Sequence, residues 1–174
     1  MRYDKILIVG GIGAGKTTLA KKISKILKIK NYELDNIAYK RRDIHKKQKP
    51  KIRDDKVKSI LKNKKWVVEG FYSRAWTYPL YRKADIVIIL NFKTSISKNR
   101  LIRRFIKRKL SFKKNKNVNQ KFRKMVDLIK YIDEYPKKYF QMQKETAKDF
   151  NKNVLILTNK NEVNKFLKKL KWIL

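Results

Sequence analysis

The run Lys5-Ile6-Leu7-Ile8-Val9 passes directly into Gly10-Gly11-Ile12-Gly13-Ala14-Gly15-Lys16-Thr17-Thr18, and this junction constrains the fold more than any other part of the chain. An apolar pentamer reads as a buried strand, and the following Leu19, Ile23, Ile26 and Leu27 recur at helical spacing. The glycines therefore occupy a strand-to-helix turn, the setting in which G-x-x-x-x-G-K-[ST] is a phosphate-binding loop. They let consecutive backbone N–H groups converge on one point, and a helix starting at Gly15 aims its positive end at the same point. Lys16 is placed to reach the β- and γ-phosphates, and Thr17 to offer its hydroxyl to Mg²⁺. The segment 10–18 is thus expected to hold a nucleoside triphosphate, with ATP and Mg²⁺ as cofactors. Gly10, Gly13 and Gly15 miss the G-x-G-x-x-G spacing of a dinucleotide turn.

Strands and helices alternate along the rest of the chain, without repeats or Pro/Gly-rich linkers, which predicts one doubly wound α/β domain over residues 1–174. Expected strands are Lys5 to Val9, Tyr32 to Leu34, Trp66 to Val68, Ala84 to Leu90 and Val154 to Leu157. Expected helices are Gly15 to Ile29, Arg53 to Asn63, Ser95 to Lys109, Val118 to Asp149 and Glu162 to Trp172, with a polar stretch from Asn36 through Pro50. The β-branched run Ile86 to Ile89 suits a parallel strand covered on both faces.

Cysteine is absent, which excludes disulfides, thiolate zinc sites and cysteine nucleophiles and fits a reducing cytoplasm. No apolar stretch approaches a membrane span. Lys and Arg number 49 against 14 Asp and Glu, a net charge of +35. This excess predicts attraction to polyanions such as DNA or RNA, largely nonspecific, although Lys, Asn and Ile also share AT-rich codons. The lysines are spread over every predicted helix, with no aromatic-interleaved platform for single strands.

Ligands of open parallel sheets bind beyond the strands' C-terminal ends, which singles out Asp35 and Glu69. Asp35 is placed either to engage an acceptor hydroxyl or to cap a helix starting near Asn36. Glu69 is placed either to hold Mg²⁺ through water or to terminate its strand. Arg100, Arg104 and Arg108 recur every four residues and present one guanidinium face, with Leu101, Ile102 and Phe105 expected to turn toward the core. Planar permanent cations suit a migrating phosphoryl group, and this helix leads into a polar, Lys- and Asn-rich segment, 109–121, that is expected to act as a lid.

Taken in order, Gly10 to Thr18, Glu33-Leu34-Asp35, Trp66 through Tyr72, Ala84-Asp85, the arginine helix and the last strand and helix resemble the adenylate-kinase-like P-loop kinases. Among these the chain looks most like the DNA topology modulation proteins. The resemblance implies a five-stranded parallel sheet of order 2-3-1-4-5, and transfer of the γ-phosphoryl group of Mg-ATP to a small-molecule, nucleoside or nucleotide acceptor near Asp35. Glu69-Gly70-Phe71 resembles the Asp-Gly-Phe-Pro-Arg segment of adenylate kinases, with Arg74 as counterpart of its arginine. Glu replaces Asp, proline is missing, and Arg74 stands one residue further on. Arg104 and Arg108 keep the spacing of the lid-entry arginines, and Arg123 is the implied phosphate contact from the far side of a much shorter lid.

Three further features carry less. Thr158-Asn159-Lys160-Asn161-Glu162 resembles the guanine-reading N-K-x-D but has Glu where Asp is required. His45, the sole histidine, excludes a triad or a histidine metal site. Tyr131, Tyr135 and Tyr139 recur every four residues and are expected to pack their helix on the sheet.

Overall fold

The computed structural model describes residues 3–40, 43–111, 118–151 and 153–172; of residues 43–45, 108–111 and 118–124 only the backbone is described. The chain runs β1 (Lys5–Gly10), α1 (Lys16–Leu27), β2 (Asn31–Glu33), α2 (Asp35–Ala38), β3 (Tyr39–Lys40), β4 (Asp43–Lys47), α3 (Pro50–Leu61) and β5 (Trp66–Gly70). It continues through α4 (Tyr78–Lys83), β6 (Ile86–Leu90), α5 (Thr94–Ser111), α6 (Val118–Glu134), α7 (Phe140–Phe150), β7 (Val154–Leu157) and α8 (Lys160–Trp172).

Five parallel strands form one sheet in the order β2-β5-β1-β6-β7, the predicted 2-3-1-4-5 arrangement once the β3-β4 hairpin is set aside. Alternation along the strands divides the core in two. Ile6, Ile8, Val67, Ile86 and Ile88 face α1 and α8, whereas Leu7, Val9, Trp66, Val68, Val87 and Ile89 face α3, α4 and α7. Burial on both faces explains why the central strands read as continuous apolar runs. Because all five strands point the same way, the ends of β1, β2 and β5 lie along one edge, and that edge carries the candidate site. Among the described residues no helix is long and apolar enough to cross a membrane.

Several boundaries differ from the sequence expectation. Helix α1 stops at Leu27, where Lys28 takes a left-handed conformation (φ 53°). Strand β6 starts at Ile86 because the Asp85 carboxylate instead accepts the backbone N–H groups of Asp4 and Lys5, each at 2.8 Å. The polar stretch after Asp35 is not plain loop: it forms α2 and an antiparallel hairpin, β3 with β4. The expected helix over 118–149 is two helices separated by a wider π turn, Tyr135–Tyr139, which contains Pro136; proline lacks the N–H that would continue the α ladder. Tyr135 is buried and Tyr131 is exposed. Ile102 is also exposed rather than in the core. Residues 112–117 of the expected lid lie outside the described residues, and α5 continues as helix through Ser111.

Candidate phosphate-loop site

The loop between β1 and α1 has the backbone that its glycines permit. Gly13 has φ +76°, and a Cβ there would lie 2.5 Å from the Ser97 carbonyl oxygen, so both conformation and space require glycine. Gly15, with φ +100°, precedes α1 and directs the helix N-terminus into the loop. Lys16 folds back over this loop and donates to the Gly11 carbonyl at 2.9 Å. Burial holds its ammonium below the ordinary lysine value and Arg104 pushes the same way, while Glu69 and Asp35 pull it back up.

Thr17 donates its hydroxyl to Glu69 Oε1 at 2.6 Å, joining the first turn of α1 to the end of β5. Glu69 is buried (5% exposed). Burial pushes its carboxyl up, opposed by the Thr17 hydrogen bond and Lys16, and reinforced by the neighbouring carboxylates Glu33 and Asp35. Glu33 pairs with Glu69 across β2 and β5, so the two side chains share a sheet face. Sequence reasoning used Glu33 only to mark its strand. Its signal was its position one turn of alternation before Asp35, at the same strand end. Oxygen donors of this kind suit Mg²⁺, which takes few protein ligands and keeps several waters. Among the described residues no group of three or more His, Cys, Asp or Glu could hold a metal by itself.

Asp35 is the first residue of α2, after Leu34 at the N-cap, and its Oδ1 accepts the Tyr72 hydroxyl at 3.0 Å. Tyr72 follows β5 closely, so the carboxylate after β2 is tied to the segment after Glu69. Burial raises the Tyr72 phenol, and the Asp35 charge and hydrogen bond add to this, keeping it protonated as a donor. Gly70 makes the crossing possible: a Cβ on it would lie 2.6 Å from Leu34 Cβ.

The arginines divide. Arg100 points its guanidinium at the loop rather than into open space, donating to the carbonyls of Ala14 (2.8 Å) and Gly13 (3.4 Å) while lying over the Phe92 ring at 4.6 Å. It braces the loop at the place where a substrate contact was expected. Arg104 is exposed, and its charge reaches Lys16. Arg74 is exposed, and its backbone forms a local turn with Thr77. The side chains of Arg108 and Arg123 lie outside the described residues.

Behind the loop is a buried polar chain that sequence reasoning missed. The Tyr135 hydroxyl donates to Gln143 Oε1 at 2.8 Å, and Gln143 Nε2 donates to the Phe71 carbonyl at 2.6 Å. The Tyr135 ring lies against Gly11, where an added Cβ would be 3.0 Å from its Cγ. The guanine-motif resemblance resolves as a helix cap. Asn159 Oδ1 accepts the Glu162 N–H at 3.0 Å, and the Glu162 carboxylate accepts from the Thr158 N–H at 2.6 Å and Asn159 Nδ2 at 2.7 Å.

No protein-family model matches this chain, and no curated protein does. Solved structures do. A shikimate kinase from Bacteroides thetaiotaomicron aligns over 98% of this chain and 98% of its own, with a TM-score of 0.57 and 14% identity. A deoxyadenosine kinase from M. mycoides with bound dATP aligns over 95% of this chain and 98% of its own, at a TM-score of 0.54 and 17% identity. A gluconokinase from Sinorhizobium meliloti 1021 covers 99% of this chain and 97% of its own at a TM-score of 0.53 and 14% identity. The chain has the fold of P-loop kinases.

Proposed function

We propose that this chain is a P-loop kinase that moves the γ-phosphoryl group of Mg-ATP to the hydroxyl of a small-molecule, nucleoside or nucleotide acceptor. The observation that carries the reading is the 2.6 Å contact of Thr17 with buried Glu69, beside Lys16 and facing the Tyr72-held Asp35. It supports reading the groups along this sheet edge as phosphate-binding, metal-suited and proton-accepting. The fold shared with shikimate, deoxyadenosine and gluconate kinases supports it.

In this reading the loop amides from Gly11 to Thr18 and the Lys16 ammonium bind the phosphates, and Arg100 keeps the loop in shape. Thr17 directly, and Glu69 through water, are the residues that would hold Mg²⁺, which when bound supplies charge neutralisation between the β- and γ-phosphates. Asp35 takes the proton of the acceptor hydroxyl as that oxygen bonds to the γ-phosphorus and the bond from phosphorus to the bridging oxygen breaks. ADP departs with the bridging oxygen, and Asp35 returns its proton to solvent. Arg104 and Arg108, from the helix entering the lid, stabilise charge on the transferring group, and Arg74 and Arg123 serve as phosphate contacts once the lid closes. A cytoplasmic setting supplies both ATP and Mg²⁺.

ADP release over a panel of nucleosides, nucleotides, sugar acids and small alcohols tests the proposal. Turnover with at least one acceptor, reduced at least 100-fold by Lys16→Ala or Asp35→Asn, is the expected result. Absence of turnover with every acceptor would refute it.

A second reading takes its support from an open groove of about 900 Å³ between α1 and α8, which is lined by Lys22, Lys25, Lys165, Lys168 and Lys171. Here the chain is a basic nucleic-acid-binding ATPase, in keeping with its resemblance to DNA topology modulation proteins, or a kinase directed at polynucleotide ends. Duplex binding that survives Lys16→Ala but fails when the groove lysines become glutamine would favour it.

A further inference from the structure

Beside Asp35 the chain builds an aromatic wall. The Tyr72 ring, whose hydroxyl reaches Asp35 at 3.0 Å, lies 5.2 Å from the Trp76 ring at an interplanar angle of 56°. Tyr39, at the start of the β3-β4 hairpin, lies near enough to add to the upward push on the Tyr72 phenol. The Arg53 guanidinium covers Trp76 at 5.0 Å. Tyr39, Tyr72 and Trp76 are all half-buried.

This composition discriminates between acceptor classes. A carboxylated polyol needs a guanidinium whose fork is available for bidentate pairing. Arg53, the cation built into the wall, holds Asp54 through Nε at 2.8 Å and lies over the indole. What the wall offers is π faces, on which a planar heteroaromatic ring stacks with useful energy whatever its hydrogen-bond pattern. Asp35, at the wall's edge, is oriented by Tyr72 to receive one hydroxyl proton. A molecule that carries a flat ring at one end and an alcohol at the other matches both halves.

We infer that the Asp35 site takes a nucleoside, with its base against Trp76 and Tyr72 and its 5′-hydroxyl at Asp35. The inference rests on the kinase reading for the chemical step after binding: the 5′-oxygen gains the γ-phosphoryl group, ADP leaves, and the hydroxyl proton passes to Asp35.

The test uses the full chain and tryptophan emission. Of the three tryptophans, Trp66 is fully buried, Trp172 is 89% exposed, and Trp76 lies at the proposed site. Adenosine, deoxyadenosine, cytidine and thymidine are titrated alongside shikimate and gluconate, with a non-hydrolysable ATP analogue present. Nucleosides are expected to quench emission and raise Tm, in wild type and equally in Trp172→Phe. Trp76→Ala is expected to weaken nucleoside affinity roughly tenfold, and Trp76→Phe less than threefold, with analogue affinity unchanged in both. Tyr72→Phe, which keeps the ring, is expected to retain stacking while losing the Asp35 contact. Nucleosides that fail to bind, or that bind equally well to Trp76→Ala, would overturn the inference, as would tight binding of the carboxylated acids alone. Nucleosides that bind at Trp76, while neither they nor any other acceptor is phosphorylated, would uphold this site and sink the kinase reading. Asp35-dependent phosphorylation of a sugar acid instead of a nucleoside would do the reverse.

Discussion

Replacing Gln143 with leucine tests whether the buried polar chain behind the phosphate loop ties the two halves of the site together. Gln143 is fully buried, donates to the Phe71 carbonyl at 2.6 Å and accepts from the Tyr135 hydroxyl at 2.8 Å. Leucine fills a similar volume but removes both bonds at once. A buried polar group stripped of its partner costs about 1–3 kcal/mol. Two such groups are affected, the phenol and the Phe71 carbonyl, so a loss of about 2–6 kcal/mol is expected. For a chain of this size that lowers Tm by roughly 4–24 °C.

Urea titration of a double-mutant cycle isolates the bond. Tyr135→Phe alone strands the Gln143 carbonyl and is expected to cost about 1–2 kcal/mol. In the Gln143→Leu background the same change strands nothing, so the two losses should fall short of additivity by about 1–2 kcal/mol. Additivity within ~0.5 kcal/mol would refute the argument. A second readout separates the site from the core. Phe71 follows the Glu69-Gly70 end of β5, and Tyr135 lies on Gly11, so Gln143→Leu should weaken ATP-analogue binding. Val57→Ala, in the core beneath α3, should destabilise the fold without doing so.

Gly13→Ala combines left-handed strain with a clash against the Ser97 carbonyl and is expected to cost at least about 1–2 kcal/mol, read as a fall in Tm. Arg100→Leu frees the Gly13 and Ala14 carbonyls and should raise the ATP-analogue Kd roughly 5–30-fold by calorimetry, the equivalent of about 1–2 kcal/mol. Burial raises Glu69 above the ordinary 4.5, so the metal-free folded chain binds more protons than the unfolded chain between that value and the raised one. Stability from this group therefore falls as pH climbs through that window. Glu69→Gln lacks the dependence and should gain on wild type over the same range; a pH-independent difference in urea midpoints would contradict the shift.

The phosphate loop was legible because its requirements are local: glycines where φ is positive, then a lysine and a hydroxyl opening a helix. Asp35 and Glu69 were legible because parallel strands end on one edge. Glu33 was not, since its place comes from the register that sets it opposite Glu69, and register is a property of two strands. Helical spacing put Arg100 and Arg104 on one face but carried no information on the carbonyls of Gly13 and Ala14, which approach from 86 or more residues away. Helix α4 spans six residues and the hairpin strands fewer, too short for any period to register. Four-residue spacing also did not reveal the wider turn at Pro136 that divides the expected long helix.

Net charge does not account for the site. An excess of +35 attracts any phosphate-bearing molecule, but over exposed lysines the effect is screened beyond about 8–10 Å at ordinary salt. The groups around Lys16 act at shorter range and in drier surroundings. Burial and Arg104 both press that ammonium toward its neutral form; Glu69 and Asp35 oppose them. In a chain with only 14 acidic residues, three carboxylates, Glu33, Asp35 and Glu69, converge on this one sheet edge. Glu69 and Asp35 act on this lysine from close by, so salt concentrations that abolish polyanion attraction should leave nucleotide affinity at this loop far less affected.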